Sequence, residues 1–385
     1  VAEDLRRFVR GEPIQARRAS LGFRVRRFAS RNRAVVAISG VAVVGTLAIG
    51  GIAGYARFTA TIRERHAQNF GQEAGTVESI LRYARLAPIQ DTEPMERAAW
   101  ERFAQLEAGV ASAGRLAAGP GAYAIGRSLL AFGQADKAVD HLQFAEQAGL
   151  KSPDLSSALG RCYGALYRQE LDRAQRLESD QERDHLVREV ENTWKAKALN
   201  HLRAGRGLGL EPPEFPEALV EFYGSNWKMS LQKAREAQAI SPLFYEAKWL
   251  EGEIQLAQAT EQSGATEEAQ LIQQALDCFL DAQKVAPSDP RLHLGEARAC
   301  RELLRLARDR QLEDHLLLQV RRAVEACLRI HPSDPSPPAQ VAWSLAVVAQ
   351  KPHRKGREAV GLLTEGLTLL EPILNRRPDD YEALA

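Results

Sequence analysis

An uncharged apolar run near the N-terminus constrains this chain more than any other feature of its sequence. Residues 34–54 read AVVAISGVAVVGTLAIGGIAG, 21 positions without a charge and with only Ser39 and Thr46 as polar groups. At a rise of about 1.5 Å per residue, such a helix spans about 31 Å, which matches the hydrocarbon thickness of a bilayer. A buried helix of a soluble protein would show a polar stripe, and none is visible here. The run therefore predicts a transmembrane helix over residues 34–56.

The distribution of charge predicts how this helix is oriented. Residues 1–33 contain ten arginines and three acids, a net charge of +7, whereas the other 352 residues carry 41 bases and 47 acids, a net charge of −6. Flanks rich in arginine stay in the cytoplasm. We therefore expect a single-pass protein of the inner or plasma membrane, with a cytoplasmic N-terminus and with C-terminal repeats in the periplasm or outside the cell.

One face of the predicted membrane helix carries small residues. Ala42, Thr46, Gly50 and Gly54 recur every four positions, and the last two form a GxxxG step. Such a step lets two helices approach closely in lipid, which predicts a homodimer contact. The alternative interpretation is that these positions reflect the usual small-residue content of membrane helices, which implies no contact.

Internal repeats indicate the fold of the region after the membrane helix. The first repeat has the spacing of small and large apolar residues that is typical of a tetratricopeptide repeat (TPR): Gly126, Leu129, Ala138, Leu142 and Ala145. Gly160 and Tyr163 restart this pattern 34 residues later, which is the TPR period. Four prolines then recur at spacings of 45, 45 and 46 residues: Pro242, Pro287, Pro332 and Pro378. These patterns predict an all-α fold, in which a single transmembrane helix precedes a TPR-like alpha solenoid with extended helical pairs.

The same patterns divide the chain into four predicted parts. Residues 1–33 form the basic juxtamembrane tail, residues 34–56 the transmembrane helix, residues 57–118 a helical lead-in, and residues 119–385 the repeat solenoid. Proline interrupts a helix because it lacks a backbone N–H. The lead-in is therefore expected to continue the membrane helix, to break at Pro88, and to resume as a helix after the turn at Asp91–Pro94.

The sequence gives no support for catalysis or for metal binding within this chain. The Gly-rich loop, the VAIK-type lysine and the HRD and DFG motifs of protein kinases do not occur, and neither does a GxSxG elbow or an HExxH spacing. The four cysteines lie in helical patterns, and we interpret them as buried packing residues: Cys162, Cys278, Cys300 and Cys327. We predict no enzyme activity, no metal, no cofactor and no nucleic-acid partner for the chain itself.

Five positions are expected to lie along the inner face of the repeat array. They follow five small residues that we take as equivalent in the repeats, Gly126, Gly160, Gly252, Ala297 and Ala342: Arg127, Arg161, Glu253, Arg298 and Trp343. Three arginines at one repeat position would hold the carboxylates of an acidic protein or peptide partner. Trp249, three residues before Gly252, would add an aromatic anchor. The alternative is that these residues are ordinary exposed arginines and packing tryptophans.

The basic tail also contains a candidate phosphorylation site. Ser20 follows two arginines in the phrase RRASL, which is the pattern that a basophilic kinase accepts. A phosphate there would offset the positive charge beside anionic lipid. The alternative is an unmodified basic patch that faces the membrane.

Residues 1–33 resemble the segment that follows the catalytic domain in bacterial receptor-type serine/threonine protein kinases. The resemblance rests on the phrases DLRR and GEPI and on the basic stretch before a single span. Later phrases are similar to TPR-bearing members of that family, and they extend the resemblance over most of the chain: RYARLAPIQD (82–91), GPGAYAIGRSLLAFG (119–133), ALGRCYGALYRQEL (158–171), EALVEFYGSNW (217–227) and LFYEAKWLEGEI (243–254). It implies a kinase domain upstream of Val1, where ATP and Mg²⁺ would bind.

Two functions are consistent with these features. In the first, the chain is the non-catalytic sensor or scaffold portion of such a kinase, and its repeats bind a protein or peptide outside the cytoplasm. In the second, it is a membrane-tethered TPR adaptor for envelope protein assembly, without a signalling role. The coding sequence upstream of Val1 separates them, because only the first function requires HRD and DFG motifs there.

Overall fold

The regular structure of the described part of the chain is helical. The computed structural model describes residues 2–12, 21–175, 177, 179–205, 208–209, 211–334 and 336–376, and no strand occurs within them. The α-helices in these residues are α1 (Ala2–Val9), α2 (Leu21–Arg31), α3 (Arg33–Leu86), α4 (Glu93–Ser112), α5 (Ala118–Ala131), α6 (Ala135–Gln147), α7 (Pro153–Gln175), α8 (Asp180–Val190), α9 (Ala196–Ala204), α10 (Glu214–Tyr223), α11 (Trp227–Ile240), α12 (Tyr245–Ala259), α13 (Ala265–Val285), α14 (Pro290–Leu306), α15 (Arg310–Ile330), α16 (Pro338–Ala349) and α17 (Arg357–Arg376). They form two compact units, residues 1–64 and 65–385.

The first unit contains α1, α2 and the apolar part of α3. Among the described residues, α3 is the one helix that is long and apolar enough to cross a membrane. Its apolar side chains are exposed on all sides, including Val41, Leu47 and Ile52. The structure confirms one long apolar helix near the N-terminus. The two units divide the chain after Glu64, which is none of the predicted boundaries at residues 33, 56 and 118. Those boundaries remain predictions.

The second unit contains an array of helical pairs. Within the described residues the pairs are, in order, α5/α6, α7/α8–α9, α10/α11, α12/α13, α14/α15 and α16/α17, and we number them one to six. The second helix of each pair packs on the first helix of the next pair. In pair two, a π-helical segment (Glu191–Lys195) joins α8 to α9, so the second half of this pair is one extended helical run. The predicted all-α, TPR-like solenoid with extended pairs is confirmed.

Small residues allow the two helices of a pair to pack closely. A Cβ atom placed on Gly126 would lie 2.6 Å from Leu142 Cγ, and one on Gly160 would lie 2.7 Å from Leu202 Cγ. Both distances are too short for a side chain, so a bulkier residue would push the helices apart. These two glycines of the TPR pattern therefore allow the helices of pairs one and two to pack closely.

Prolines mark the ends of helices, as the sequence predicts. Pro242, Pro287 and Pro332 each lie two residues after the end of α11, α13 and α15, in the turn that leads to the next pair. Pro378 lies outside the described residues. The long helix α3 ends at Leu86, two residues before Pro88, and α4 begins after the turn. Proline at these places prevents the preceding helix from continuing.

Candidate functional site

Arg127, the first of the predicted inner-face arginines, is bound to a carboxylate of its own chain. It extends from α5, and its guanidinium donates two hydrogen bonds to Glu78 on α3, with Nε 2.9 Å from Oε1 and Nη2 2.6 Å from Oε2. The guanidinium carbon also lies 5.6 Å from the centre of the Tyr123 ring. Burial opposes the charge, but the Glu78 carboxylate raises the pKa of Arg127 overall. This bidentate geometry is the one in which arginine holds a carboxylate most strongly.

Arg161, at the same repeat position in α7, makes an equivalent pair. Its Nη2 atom lies 2.5 Å from Oε1 of Glu211, in the turn before α10, and its guanidinium packs 5.3 Å from the Phe215 ring centre. The second oxygen of Glu211 accepts a hydrogen bond from the Leu208 amide at 2.9 Å. Burial raises the pKa of Glu211 even though Arg161 opposes this shift. The second inner-face arginine therefore also has an internal partner.

Arg298, the third predicted inner-face arginine, belongs to a cluster of three side chains from three helices. Glu253 on α12 accepts hydrogen bonds from Arg298 on α14 and from Arg168 on α7, one to each carboxylate oxygen. The Glu253 side chain is only 3% exposed. Burial favours its neutral form, but the two guanidinium groups outweigh burial and lower the pKa of Glu253. We call the two pairs Arg127–Glu78 and Arg161–Glu211, together with the cluster Arg168–Glu253–Arg298, the carboxylate ladder.

The two tryptophans pack against the array. Trp249 is partly buried against the apolar clusters of pairs three to five, and Arg291 lies 5.7 Å from its ring centre. Trp343 packs against Ala339 and Ile373 in the sixth pair. The guanidinium carbon of Arg301 lies 5.5 Å from the Trp343 ring centre. An aromatic anchor for a partner at either position remains a prediction.

The structure brings together only some of the predicted inner-face residues. Glu253 and Arg298 occupy equivalent positions in pairs four and five, and they contact each other directly. Arg168 was not predicted, although it follows Arg161 by seven residues and so lies on the same face of α7. Glu78 and Glu211 were also not predicted, because both lie outside the TPR signature positions.

The other candidate positions are on or near the apolar helix. Ala42, Thr46, Gly50 and Gly54 lie on α3 and are all exposed, and the Thr46 hydroxyl donates a hydrogen bond to the Ala42 carbonyl at 2.9 Å. No side chain lies within 4 Å of a Cβ placed on Gly50 or Gly54. This face is open to a second helix, and the dimer contact remains a prediction. Ser20 lies outside the described residues.

A helical hairpin precedes the first pair and packs against it. We call residues 65–112, the last part of α3 together with α4, the lead-in hairpin. Trp100 on α4 stacks on Phe132 at the end of α5, with 3.9 Å between ring centres. Arg85 near the end of α3 donates a hydrogen bond from Nη2 to the Ala131 carbonyl at 2.7 Å. The lead-in hairpin thus occupies the place of an additional pair at the start of the array.

The same hairpin also contacts pairs that are distant in sequence. Arg82 forms a 2.8 Å ion pair with Glu246 at the start of α12. Ser288, in the turn before α14, donates its amide to the Arg85 carbonyl at 3.1 Å and its hydroxyl to the Pro88 carbonyl at 2.9 Å. Backbone groups take part on both sides, so these contacts depend on the path of the chain more than on particular side chains.

Two further contacts reach the turn before α16. The Thr92 amide and hydroxyl both donate hydrogen bonds to the Ile330 carbonyl, at 2.9 and 3.1 Å. The Ser333 amide donates to Oε1 of Glu93 at 2.7 Å, a contact across 240 residues of sequence. We call the contacts of the lead-in hairpin with Glu246, Ser288, Ile330, His331 and Ser333 the closing contacts. They join the start of the array directly to its fourth and fifth pairs and to the turn before α16.

One closing contact responds to pH. His331, at the end of α15, places Nε2 2.8 Å from Oε1 of Glu96. This hydrogen bond raises the pKa of His331; burial opposes the shift, and the charges of Glu96, Asp334 and Glu93 reinforce it. A pKa raised in the folded state gives a stabilisation that is complete below the unfolded value of about 6.5 and is lost as pH rises through the folded value.

We therefore expect His331→Gln to weaken the closing contacts at acidic pH and to have little effect at alkaline pH. Hydrogen exchange at the Thr92 and Ser333 amides should be faster than in the wild type at about pH 6, and the difference should shrink by about pH 8. His315→Gln, which changes an exposed histidine of the same helix, is the control. Equal exchange in wild type and His331→Gln at both pH values would show that the ion pair contributes nothing.

Comparisons with known proteins give a limited result. No family model matches the sequence, and no curated protein matches it. Among solved structures, the chain is similar to the crystal structure of TTC0263, a thermophilic TPR protein in Thermus thermophilus, with 14% sequence identity and a TM-score of 0.36. The alignment covers 69% of this chain and 95% of that chain. A similarity of this degree carries no conclusion about function.

Proposed function

We propose that this chain is the membrane-anchored, non-catalytic sensor or scaffold portion of a bacterial receptor-type serine/threonine protein kinase. In this proposal α3 spans the inner membrane, residues 1–33 remain in the cytoplasm, and the repeats lie in the periplasm or outside the cell. Support comes from the apolar run of α3, the charge of +7 on residues 1–33, and the resemblance of the basic tail to that family. The catalytic domain, with its ATP and Mg²⁺ site, would lie upstream.

The carboxylate ladder carries the binding part of the proposal. Each of the three predicted inner-face arginines holds a carboxylate in the structure, so the chemistry of this face suits carboxylate-bearing partners. Glu78 keeps about a third of its side chain exposed, which leaves the Arg127 pair accessible to exchange. A protein or peptide with an acidic side chain would replace Glu78, the most exposed of the three internal carboxylates. Exchange conserves the number of ion pairs, and it therefore avoids leaving a guanidinium unpaired.

Signal transfer in this proposal depends on association between copies. A single membrane helix conveys an outside event chiefly through a change in dimerisation or in orientation relative to a second helix. The small residues Ala42, Thr46, Gly50 and Gly54 offer the face for that contact. The second candidate function, a TPR adaptor without a kinase, shares the anchor and the binding face. It differs in the upstream coding sequence, where HRD and DFG motifs would be missing.

The binding proposal predicts opposite effects for two changes at one pair. Glu78→Gln removes the internal competitor and should tighten binding of a fluorescein-labelled glutamate-rich peptide to the full chain by about fivefold. The double change Arg127→Met with Glu78→Met removes cation and competitor together and should weaken binding by about tenfold or more, with little loss of stability. Fluorescence anisotropy measures both, and thermal melts confirm that each variant is folded.

The control for these variants is a pair far from the ladder. Glu325→Gln disrupts the exposed Glu325–Arg329 pair on α15 and should leave peptide binding unchanged. Raising the salt concentration should weaken binding of the peptide to the wild type, since exposed charges are screened. The proposal fails if the wild type does not bind the peptide, or if Glu78→Gln and the double variant bind it equally well.

A further inference from the structure

The helix that precedes α3 carries exposed apolar side chains on one face. In α2, Val25 and Phe28 are three positions apart and therefore share a face, to which the smaller Ala29 also belongs. Val25 is 65% exposed and Phe28 is 58% exposed. Arg26 and Arg31 are exposed on the remaining circumference of the same helix. A helix with an apolar face on one side and arginines on the other is typical of segments that lie in a membrane interface.

The position of α2 in the chain brings it to the membrane surface. It ends at Arg31, and α3 begins two residues later at Arg33. Between them, hydrogen bonds run from the Asn32 amide to the Phe28 carbonyl at 2.9 Å and from the Val36 amide to the Asn32 carbonyl at 3.0 Å. Asn32 alone separates the two helices, so α2 lies next to the point at which α3 would enter a bilayer.

We propose that α2 is an interfacial helix that lies on an anionic phospholipid surface. Val25 and Phe28 enter the boundary between headgroups and acyl chains, and Arg26 and Arg31 contact lipid phosphates. The inference rests on the proposed anchoring of the chain by α3, and it adds the class of lipid and the residues that contact it.

Three observations select an anionic bilayer as the partner. The charge on residues 1–33 is +7, which is complementary to anionic headgroups. The apolar side chains Val25 and Phe28 are exposed rather than covered by other described parts of the first unit. The long apolar helix starts immediately after α2, so a bilayer entered by α3 is within reach of α2 without any further assembly step.

Site-directed spin labelling of the full chain tests this assignment. The chain is reconstituted in nanodiscs of phosphatidylcholine, with or without phosphatidylglycerol, and one cysteine is introduced at a time: Ala29→Cys beside the apolar face, Ser30→Cys on the opposite side, and Val44→Cys in α3. The native cysteines are buried, and burial raises the pKa of the Cys162, Cys300 and Cys327 thiols to about 12, so they should not compete for the label.

In nanodiscs that contain phosphatidylglycerol, a label at Ala29→Cys should collide with oxygen in preference to a water-soluble nickel chelate. A label at Ser30→Cys should show the reverse preference, with a several-fold difference in the ratio between the two sites. Val25→Ser with Phe28→Ser, or Arg26→Gln with Arg31→Gln, should abolish the difference. Phe8→Ser with Val9→Ser, an equal loss of exposed apolar side chain on α1, should preserve it.

The outcomes distinguish this inference from the anchoring on which it rests. If the label at Val44→Cys is in lipid but the labels at positions 29 and 30 are both in water, the interfacial helix is overturned. The anchoring of the chain by α3 is then supported. A label at Val44→Cys in water would overturn the anchor itself. The difference in collision ratio between sites 29 and 30 could be as large in pure phosphatidylcholine as with phosphatidylglycerol, and could survive the loss of both arginines. That result would overturn the requirement for anionic lipid.

Discussion

Glu253→Gln is expected to lower the free energy of unfolding by about 3 kcal/mol, as for a buried ion pair that loses one partner. The substitution keeps the shape of the side chain but leaves Arg168 and Arg298 facing each other without the carboxylate that joins them. The low end of the usual range applies, because the arginine side chains are 28% and 33% exposed and water reaches them. Urea unfolding at neutral pH, followed by circular dichroism, measures the change.

The control for this prediction is an ion pair of the same type at the surface. Glu325 and Arg329 are four residues apart on α15, and both side chains are more than 60% exposed. Glu325→Gln should change the free energy of unfolding by less than about 0.5 kcal/mol, because surface pairs contribute little. If the two substitutions have the same effect, the Glu253 cluster is not a buried ion pair in energetic terms.

The Glu253 cluster also predicts how the wild type responds to acid. The pKa of Glu253 is lowered in the folded protein, so its contribution is present above the unfolded value of about 4.5. It is lost as pH falls through the folded value. Glu253→Gln should therefore be destabilised relative to the wild type at neutral pH, and the difference should become smaller in acid. A difference that is constant over this range would indicate a packing effect instead of a charge effect.

Phe279→Ala is the second change with a large expected effect, a loss of about 3–5 kcal/mol in the free energy of unfolding. Phe279 is fully buried on α13, and its ring lies between two glycines of the neighbouring first helices. A Cβ atom on Gly252 of α12 would be 2.7 Å from the ring, and one on Gly295 of α14 would be 2.9 Å from it. The ring therefore joins pairs four and five, and its loss leaves a cavity between them.

A reverse experiment checks the same contact. Gly252→Ala adds a methyl group against the Phe279 ring and should cost about 1–3 kcal/mol, because the ring is held on both sides and cannot move away. The double change Gly252→Ala with Phe279→Ala should be more stable than the sum of the two effects predicts. Phe144→Ala, at a side chain that is 51% exposed on α6, is the control and should have a small effect. Additive effects would mean that the ring does not press on Gly252.

Both substitutions should act on the closing contacts as well as on their own pairs. Helical arrays transmit stability mainly between neighbouring repeats. Pairs four and five carry Glu246 and Ser288, which hold the lead-in hairpin. Hydrogen exchange should therefore increase near Arg85 and Ser288 in the destabilised variants before it increases in pair one.

The sequence predicted the features that repeat or that are local in the chain. The apolar run of residues 34–54 gave one long helix, and the spacing of Gly126 and Leu142 gave the tight packing of pair one. The turns at Pro242, Pro287 and Pro332 followed from what proline does to a helix. Each of these depends on residues within a few helical turns of one another, and such interactions appear as periods in the sequence.

Only the tertiary structure decided what the inner-face arginines contact. Arg127 was predicted to face a partner, but its guanidinium binds Glu78, which precedes the first repeat by many residues. Arg298 was predicted to act with Arg127 and Arg161, but it shares Glu253 with Arg168. The repeat position of an arginine does not indicate which carboxylate will lie opposite it. That depends on the angle between successive pairs.

The closing contacts show the same limit at the largest scale. Thr92 and Ile330 are 238 residues apart, and each is unremarkable in its own segment. They meet because the end of the fifth pair lies against the lead-in hairpin in the folded array. The sequence by itself determined the helices, their pairing and the one long apolar helix near the N-terminus. The packing of parts that are distant in the chain, which no local pattern encodes, decided which side chains form the carboxylate ladder and where the array meets the lead-in hairpin.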